Sequence, residues 1–95
     1  MALVRTLQWT DKAYADLTRL YAFLAPLNPT AAVRTVQALS AAPEGLLVNP
    51  RIGKRLQEFD PREVRKILVD RYELRYEVLE TRVVVLRLWH TREDR

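Results

Sequence analysis

The stretch YELRYEVLETRVVVLRLWH, residues 72–90, limits the possible folds more than any other part of the chain. Its first half alternates, with Tyr72, Leu74, Tyr76 and Val78 set against Glu73, Arg75 and Glu77. A period of two marks a strand with one face inward and one outward. The second half, 83–90, is almost continuously apolar, as a central strand covered on both sides would be. Residues 80–82, Glu-Thr-Arg, leave room only for a tight turn. The two segments therefore form a hairpin within a sheet. A chain of 95 residues can add a few more strands and one covering layer.

The other elements follow from local signals. Residues 63–70, EVRKILVD, read as a strand that precedes the hairpin, giving a three-stranded antiparallel meander. At the other end, LVRTLQW (3–9) reads as a short strand with Leu3, Arg5, Leu7 and Trp9 on one face. Thr10 is placed to cap a helix, and Asp11 stands in the first turn, where the helix dipole favours an anion. Ala13, Leu17, Leu20, Tyr21 and Leu24 then follow helical spacing until Pro26 stops the helix. Asn28 and Pro29 start a second helix with the stripe Ala32, Val36 and Leu39, which ends before Pro43. So short a link makes the two helices an antiparallel hairpin. Residues 44–63 hold both glycines and two prolines and read as mostly loop, with room for one helical turn. No repeat, low-complexity tract or linker divides the chain. The expectation is one α+β domain over 1–95: an N-terminal strand, a two-helix hairpin, and a meander completing one mainly antiparallel sheet.

Composition narrows the functional classes. At 48% hydrophobic and 29% charged, the chain is globular rather than disordered. It has no cysteine, which removes disulfides and thiol chemistry and fits a reducing cytoplasm. With one histidine and no cysteine, no metal site is expected, and no cofactor motif is found. The segment PRIGKR lacks the glycine spacing and Lys-Ser/Thr of a phosphate loop. No segment suits a signal peptide or a membrane span, so no membrane association is expected. The net charge is +4, with thirteen arginines against three lysines. Arginine pairs bidentately with phosphate and carboxylate, so a polyanion or an acidic protein as partner is one reading; codon bias is the other. Residues 51–95 carry twelve of the basic residues but also nine acids, a mixed surface rather than a basic tail.

Three stretches resemble a known family: WTDKAYADLTRLYAFLAPLNPTAA, NPRIGKRL, and YELRYEVLETRVVVLRLWHTRED. Their order and spacing over nearly the whole chain are similar to the RelE/ParE superfamily of toxins from bacterial type II toxin–antitoxin modules. The Trp-Thr start and the Tyr-x-Leu-x-Tyr strand running to Trp-His-Thr-Arg most resemble the ParE branch. The resemblance implies a fold close to the one just described. It also implies a cognate acidic antitoxin wrapped on the helices and sheet in a hetero-oligomer. The implied function divides: ParE-like members poison DNA gyrase, whereas RelE-like and YoeB-like members are ribosome-dependent mRNA endonucleases. A third reading is a degenerate member that only binds antitoxin.

The nuclease reading can be set against these residues. Cleavage at a 2′-OH needs a base, a cation for the phosphate and a donor to the leaving oxygen. By the resemblance, Arg65 fills the first basic position and Arg92 the arginine after the last strand. The second basic position falls on Ile67, and a further arginine falls on Glu73, expected to face the phosphate. Like charges in contact there cost on the order of 1–4 kcal/mol. The tail tyrosine of the nuclease branches has no counterpart through Arg95. These absences favour the gyrase reading.

Individual residues leave alternatives open. His90, Arg65 and Arg92 are the catalytic candidates, and His90 and Arg92 are also candidates for target contact. His90 is alternatively a strand-end histidine bonded to backbone, Glu93 or Asp94. Arg92 is alternatively a surface ion pair with Glu93 or Asp94, which would contribute little. Tyr21, Leu24, Arg71 and Arg75 are the candidates for antitoxin contact. Arg65, Lys66, Arg71 and Arg75 read otherwise as a solvated sheet face paired with Glu73 or Glu77. Trp9 and Trp89 are expected as core or half-buried anchors, and Tyr14 and Tyr21 as core.

Overall fold

The computed structural model describes residues 4–93. Its elements are β1 (Thr6–Trp9), α1 (Asp11–Leu24), α2 (Pro29–Ala41), α3 (Gly45–Val48), β2 (Lys54–Arg55), β3 (Val64–Val69), β4 (Tyr72–Val78) and β5 (Arg82–His90). Short 3-10 turns cover Ala42–Glu44 and Gln57–Phe59. The strands form one sheet in the order β1-β5-β4-β3-β2. β1 runs parallel to β5, and every other pairing is antiparallel. This is the expected α+β architecture. Residue 3, assigned from sequence to the first strand, lies outside the described residues.

The helix signals act as anticipated. Thr10 Oγ1 accepts the Ala13 N–H at 3.0 Å, and Asn28 Oδ1 accepts that of Ala31 at 3.1 Å. Pro29 opens α2, where its missing N–H has no helical partner to lose. The segment after α2 is less irregular than expected. It holds a 3-10 turn, α3 and a two-residue edge strand. Asp70, expected to end the strand before the hairpin, instead occupies the turn between β3 and β4 with φ 56°. Aspartate tolerates that left-handed geometry better than most residues.

One face of the sheet carries the core. Tyr72, Leu74, Tyr76 and Val78 of β4 pack with Val83, Val85 and Leu88 of β5, beneath Ala13, Leu20 and Leu39 of the helices. On β5 the inward residues change from odd to even numbers. The register runs Tyr76↔Val85 but Arg75↔Arg87, which leaves Leu86 as an extra residue. Without this β-bulge the alternation would turn Arg87 into the core and Leu88 out of it.

The other sheet face is more covered than the alternation suggests. Trp89, Val84 and Val64 on it are buried. Glu73, expected to point to solvent, is only 2% exposed. The reason is a layer of long side chains. Arg75 lies over the ring of Trp89 at 4.8 Å and over Phe59 at 5.3 Å, and Arg87 covers Trp89 at 5.5 Å. Glu73 meets Arg75 at 3.3 Å and Lys66 at 3.7 Å beneath them. Tyr14 and Tyr21, expected as core, are instead 56% and 43% exposed. Tyr14 is a lid on Trp9, stacked at 5.5 Å. No helix among the described residues is long and apolar enough to cross a membrane.

Candidate functional site

Where α1 passes over the open end of the sheet, a cleft of about 770 Å³ lies between them. Leu20, Phe23 and Leu24 of α1 form one wall, and Tyr72 and His90 lie at the paired ends of β4 and β5. Arg71, on the β3–β4 turn, and Arg92, just after β5, also line it, with Arg19, Asp70 and Glu93. A smaller hollow of about 200 Å³ shares Thr35, Asp70 and Tyr72 with this cleft and extends it towards α2. The cleft thus has an apolar wall and a cationic rim. Among the described residues, neither the Arg71 nor the Arg92 guanidinium has an ion-pair partner, unlike Arg19, Arg51, Arg55, Arg62, Arg65, Arg75 and Arg87.

The tail turns on His90. Its Nδ1 accepts the Arg92 backbone N–H at 3.1 Å, and its ring meets Tyr72 edge-on at 5.2 Å. The Nδ1 nitrogen is thus engaged within the tail turn. Glu93 closes the turn: its Oε1 accepts the His90 N–H at 2.7 Å, and its own N–H bonds the His90 carbonyl at 2.9 Å. Arg19 then holds the Glu93 carboxylate at 3.1 Å. Burial pushes the Glu93 carboxyl up, but the His90 N–H and Arg19 outweigh it and leave the group below its ordinary range. Glu93 is therefore engaged with Arg19 rather than with Arg92. Asp94, the other partner considered for His90 and Arg92, lies outside the described residues.

The same network reaches into the fold through Asp16, a buried carboxylate that sequence reasoning passed over. β1 leaves β5 at the Trp9↔Val85 pair. Beyond it, side chains of α1 and its cap satisfy the free edge of β5. Thr10 Oγ1 donates to the Leu86 carbonyl at 2.9 Å. Asp16 Oδ2 accepts the Leu88 N–H at 2.9 Å, and Arg19 donates to the Leu88 carbonyl at 3.3 Å. Asp16 is also bound by both Arg87 and Arg19. Its burial favours the neutral form, but Arg87, the Leu88 N–H and Arg19 together hold it below the usual carboxylate range. The signal was present as Trp9-Thr10-x-x-Ala13-x-x-Asp16: a cap, a small buried residue and an acid on one helix face.

The remaining candidates lie apart from the cleft. Arg65 is bound to Glu63 at 2.8 Å and to the Gly53 carbonyl at 2.7 Å, fixing the loop before β2. Tyr76 supports the same loop, donating to the Pro50 carbonyl at 2.7 Å and accepting the Gly53 N–H at 3.1 Å. Arg75 belongs to the other sheet face, between Phe59 and Trp89. Tyr21 is on α1 but outside the cleft lining. Of the seven residues singled out from sequence, Leu24, Arg71, His90 and Arg92 come together there. Phe23, Asp70 and Tyr72 join them. The exposed Phe23, one residue before Leu24 at the helix end, was the available signal.

Comparison with known proteins gives a consistent relationship. The family described as "ParE toxin of type II toxin-antitoxin system, parDE" matches residues 7–95. Toxin RelE2 of Caulobacter vibrioides is 34% identical over 82 residues, covering 86% of this chain and 90% of that protein. A solved structure of the chromosomal ParDE toxin–antitoxin system from P. aeruginosa superposes with a TM-score of 0.77 at 24% identity, over 92% of this chain and 96% of that one, a likeness of fold. The RelBE2 toxin–antitoxin complex from Mycobacterium tuberculosis gives a TM-score of 0.59 at 26% identity, over 95% and 94% of the two chains. The chain belongs to the ParE toxin family, within the RelE/ParE superfamily of toxins from type II toxin–antitoxin systems.

Proposed function

We propose that this toxin acts on DNA gyrase and is neutralised by an acidic antitoxin from the same module. The observation that carries the first part is the state of His90. Its Nδ1 lone pair is taken by the Arg92 N–H. That nitrogen is therefore engaged within the tail rather than open to a ribose hydroxyl. The other positions compared with a nuclease support the same reading. Arg65 is tied to Glu63 and the Gly53 carbonyl. Ile67 packs against the core, and Glu73 is buried. The case against a nuclease thus rests on engaged groups, not on Glu73 repelling a phosphate. Such a target requires the toxin to act in the cytoplasm.

The antitoxin part is supported by the net charge of +4 and by two solved relatives described as toxin–antitoxin assemblies. The alternative, a ribosome-dependent mRNA endonuclease, draws on the likeness to a protein named Toxin RelE2 and on Arg71 and Arg92, which have no ion pair among the described residues. The direct test is purified toxin added to purified gyrase and relaxed plasmid. Loss of supercoiling, or accumulation of cleaved DNA trapped on gyrase, is expected. Undisturbed supercoiling at toxin in large excess would remove gyrase as the target.

A further inference from the structure

We infer that Glu93, gripped by Arg19 of α1, is a positioning residue: it fixes the tail turn so that the Arg92 guanidinium meets the toxin's target from a set place. That target is gyrase on the reading above, on which the inference rests, and what is added is how this chain holds its contact residue ready. Three observations lead there.

First, the Arg92 backbone is fixed while its side chain is free. The Thr91 N–H donates to the Arg71 carbonyl at 3.0 Å, which carries the β4–β5 pairing one residue past Tyr72↔His90. The Arg92 N–H donates to His90 Nδ1 at 3.1 Å, and the Glu93 N–H to the His90 carbonyl at 2.9 Å. Arg92 itself is exposed, and its guanidinium makes no hydrogen bond or ion pair among the described residues. The ordering of this backbone is therefore complete before a partner arrives, which lowers the cost of binding.

Second, one side chain ties the turn to the fold. Glu93 Oε1 accepts the His90 N–H at 2.7 Å. Arg19 grips the same carboxylate side-on: its Nε donates to Oε2 and its Nη2 to Oε1, each at 3.2 Å. Two parallel bonds from a guanidinium fix a carboxylate in direction as well as distance.

Third, Arg19 is itself anchored. It binds the buried Asp16 and donates to the Leu88 carbonyl at 3.3 Å. Support thus runs from the edge of β5 through α1 to the residue next to Arg92. The Arg19 and Glu93 side chains are 42% and 34% exposed. An ion pair so open to water contributes modestly to stability. Its larger consequence is where the tail lies.

The test is supercoiling by purified gyrase titrated with full-length toxin, with Tm measured for each variant. Arg92→Ala should raise the half-inhibitory concentration by about tenfold. Glu93→Ala should raise it roughly three- to tenfold. Glu93→Gln, which keeps an oxygen for the His90 N–H, should recover part of that loss. Arg19 is left intact, because it also serves Asp16 and Leu88. The double variant Arg92→Ala/Glu93→Ala should be no weaker than Arg92→Ala alone, since Glu93 acts through Arg92. A merely structural Glu93 would add its loss to that of Arg92→Ala, and such additivity overturns the inference. So does Arg92→Ala or Glu93→Ala toxin that inhibits as well as wild type. Each of these results leaves the gyrase reading standing. Wild-type toxin without effect on gyrase removes that reading and the inference with it.

Discussion

The carboxylate of Asp16 on α1 accepts the backbone N–H of Leu88 on β5 at 2.9 Å. A helix side chain thereby takes over the strand edge that β1 has left. Replacing Asp16 by Ala would strand a buried N–H and leave Arg87 and Arg19 without their shared partner. A loss of roughly 3 kcal/mol is expected, enough to lower Tm by more than about 10 °C in a domain of this size. Asp16→Asn keeps an acceptor for Leu88 and should lose clearly less. Urea and thermal unfolding of both variants check this. Equal losses would show that the hydrogen bond to Leu88 contributes little.

Acid should weaken the fold through the same carboxylates. Asp16, Glu63 and Glu93 all lie below their ordinary values of 3.8, 4.5 and 4.5. In each, burial pushes the value up and hydrogen bonds from arginines or backbone N–H groups more than offset it. Groups depressed in the folded state bind protons more readily when unfolded. Their stabilisation is complete above the ordinary values and is lost as pH falls through and below them. The urea midpoint should therefore drop as pH goes below about 4.5, and Asp16→Asn should shallow that slope. A midpoint independent of pH in this window would contradict the assigned pairings.

Gly53 is required by space rather than by backbone angle. A Cβ there would lie 2.6 Å from the Lys66 carbonyl oxygen and 2.6 Å from the Tyr76 hydroxyl. The Lys66 carbonyl belongs to the backbone of a paired strand and cannot retreat. Gly53→Ala should cost about 2 kcal/mol or more. Tyr76→Phe should cost about 1–3 kcal/mol, since it strands the Gly53 N–H and the Pro50 carbonyl. The double variant should lose less than the sum, because removing the hydroxyl also removes one clash. A denaturation cycle over the four proteins measures that coupling, and strict additivity would contradict it.

The tail is bound into the fold, so shortening it should have two effects. Deleting the residues after Trp89 removes His90 and Glu93, and with them a partner of Arg19. Tm and toxicity in growing cells should both fall. Arg92→Ala, by contrast, should reduce toxicity with Tm unchanged, because its side chain has no ion pair among the described residues. A truncation that abolishes toxicity at unchanged Tm would make the whole tail a target contact and nothing more.

Most of the fold was legible because its signals are local. Thr10 and Asn28 declare helix starts, and Tyr72 to Val78 alternate cleanly. What escaped was set by contacts between distant segments. The β-bulge at Leu86 has no local marker in VVVLRLWH, and it decides that Leu88 rather than Arg87 enters the core. Glu73 looked like a solvent residue because strand alternation cannot report that Phe59 and two arginines cover the second face. Asp16 drew no reading from sequence, since its role depends on a strand 71 to 72 residues away. Tyr21 was misplaced by the opposite error: helical spacing put it at the margin of the apolar stripe, where the sheet does not reach. Part of the cleft, Leu24, Arg71, His90 and Arg92, was found by residue type. Phe23, Asp70 and Tyr72 joined it only through the crossing of α1 over the sheet end.

The most direct measurement of the central claim is the mapping of mRNA 5′ ends on programmed ribosomes exposed to the toxin. With Nδ1 of His90 engaged and Arg65 tied to Glu63, the wild-type protein should produce no codon-specific cuts, and His90→Gln should leave gyrase inhibition largely intact. Messenger RNA cut on the ribosome by wild type and spared by His90→Gln would contradict the account and make His90 a catalytic group.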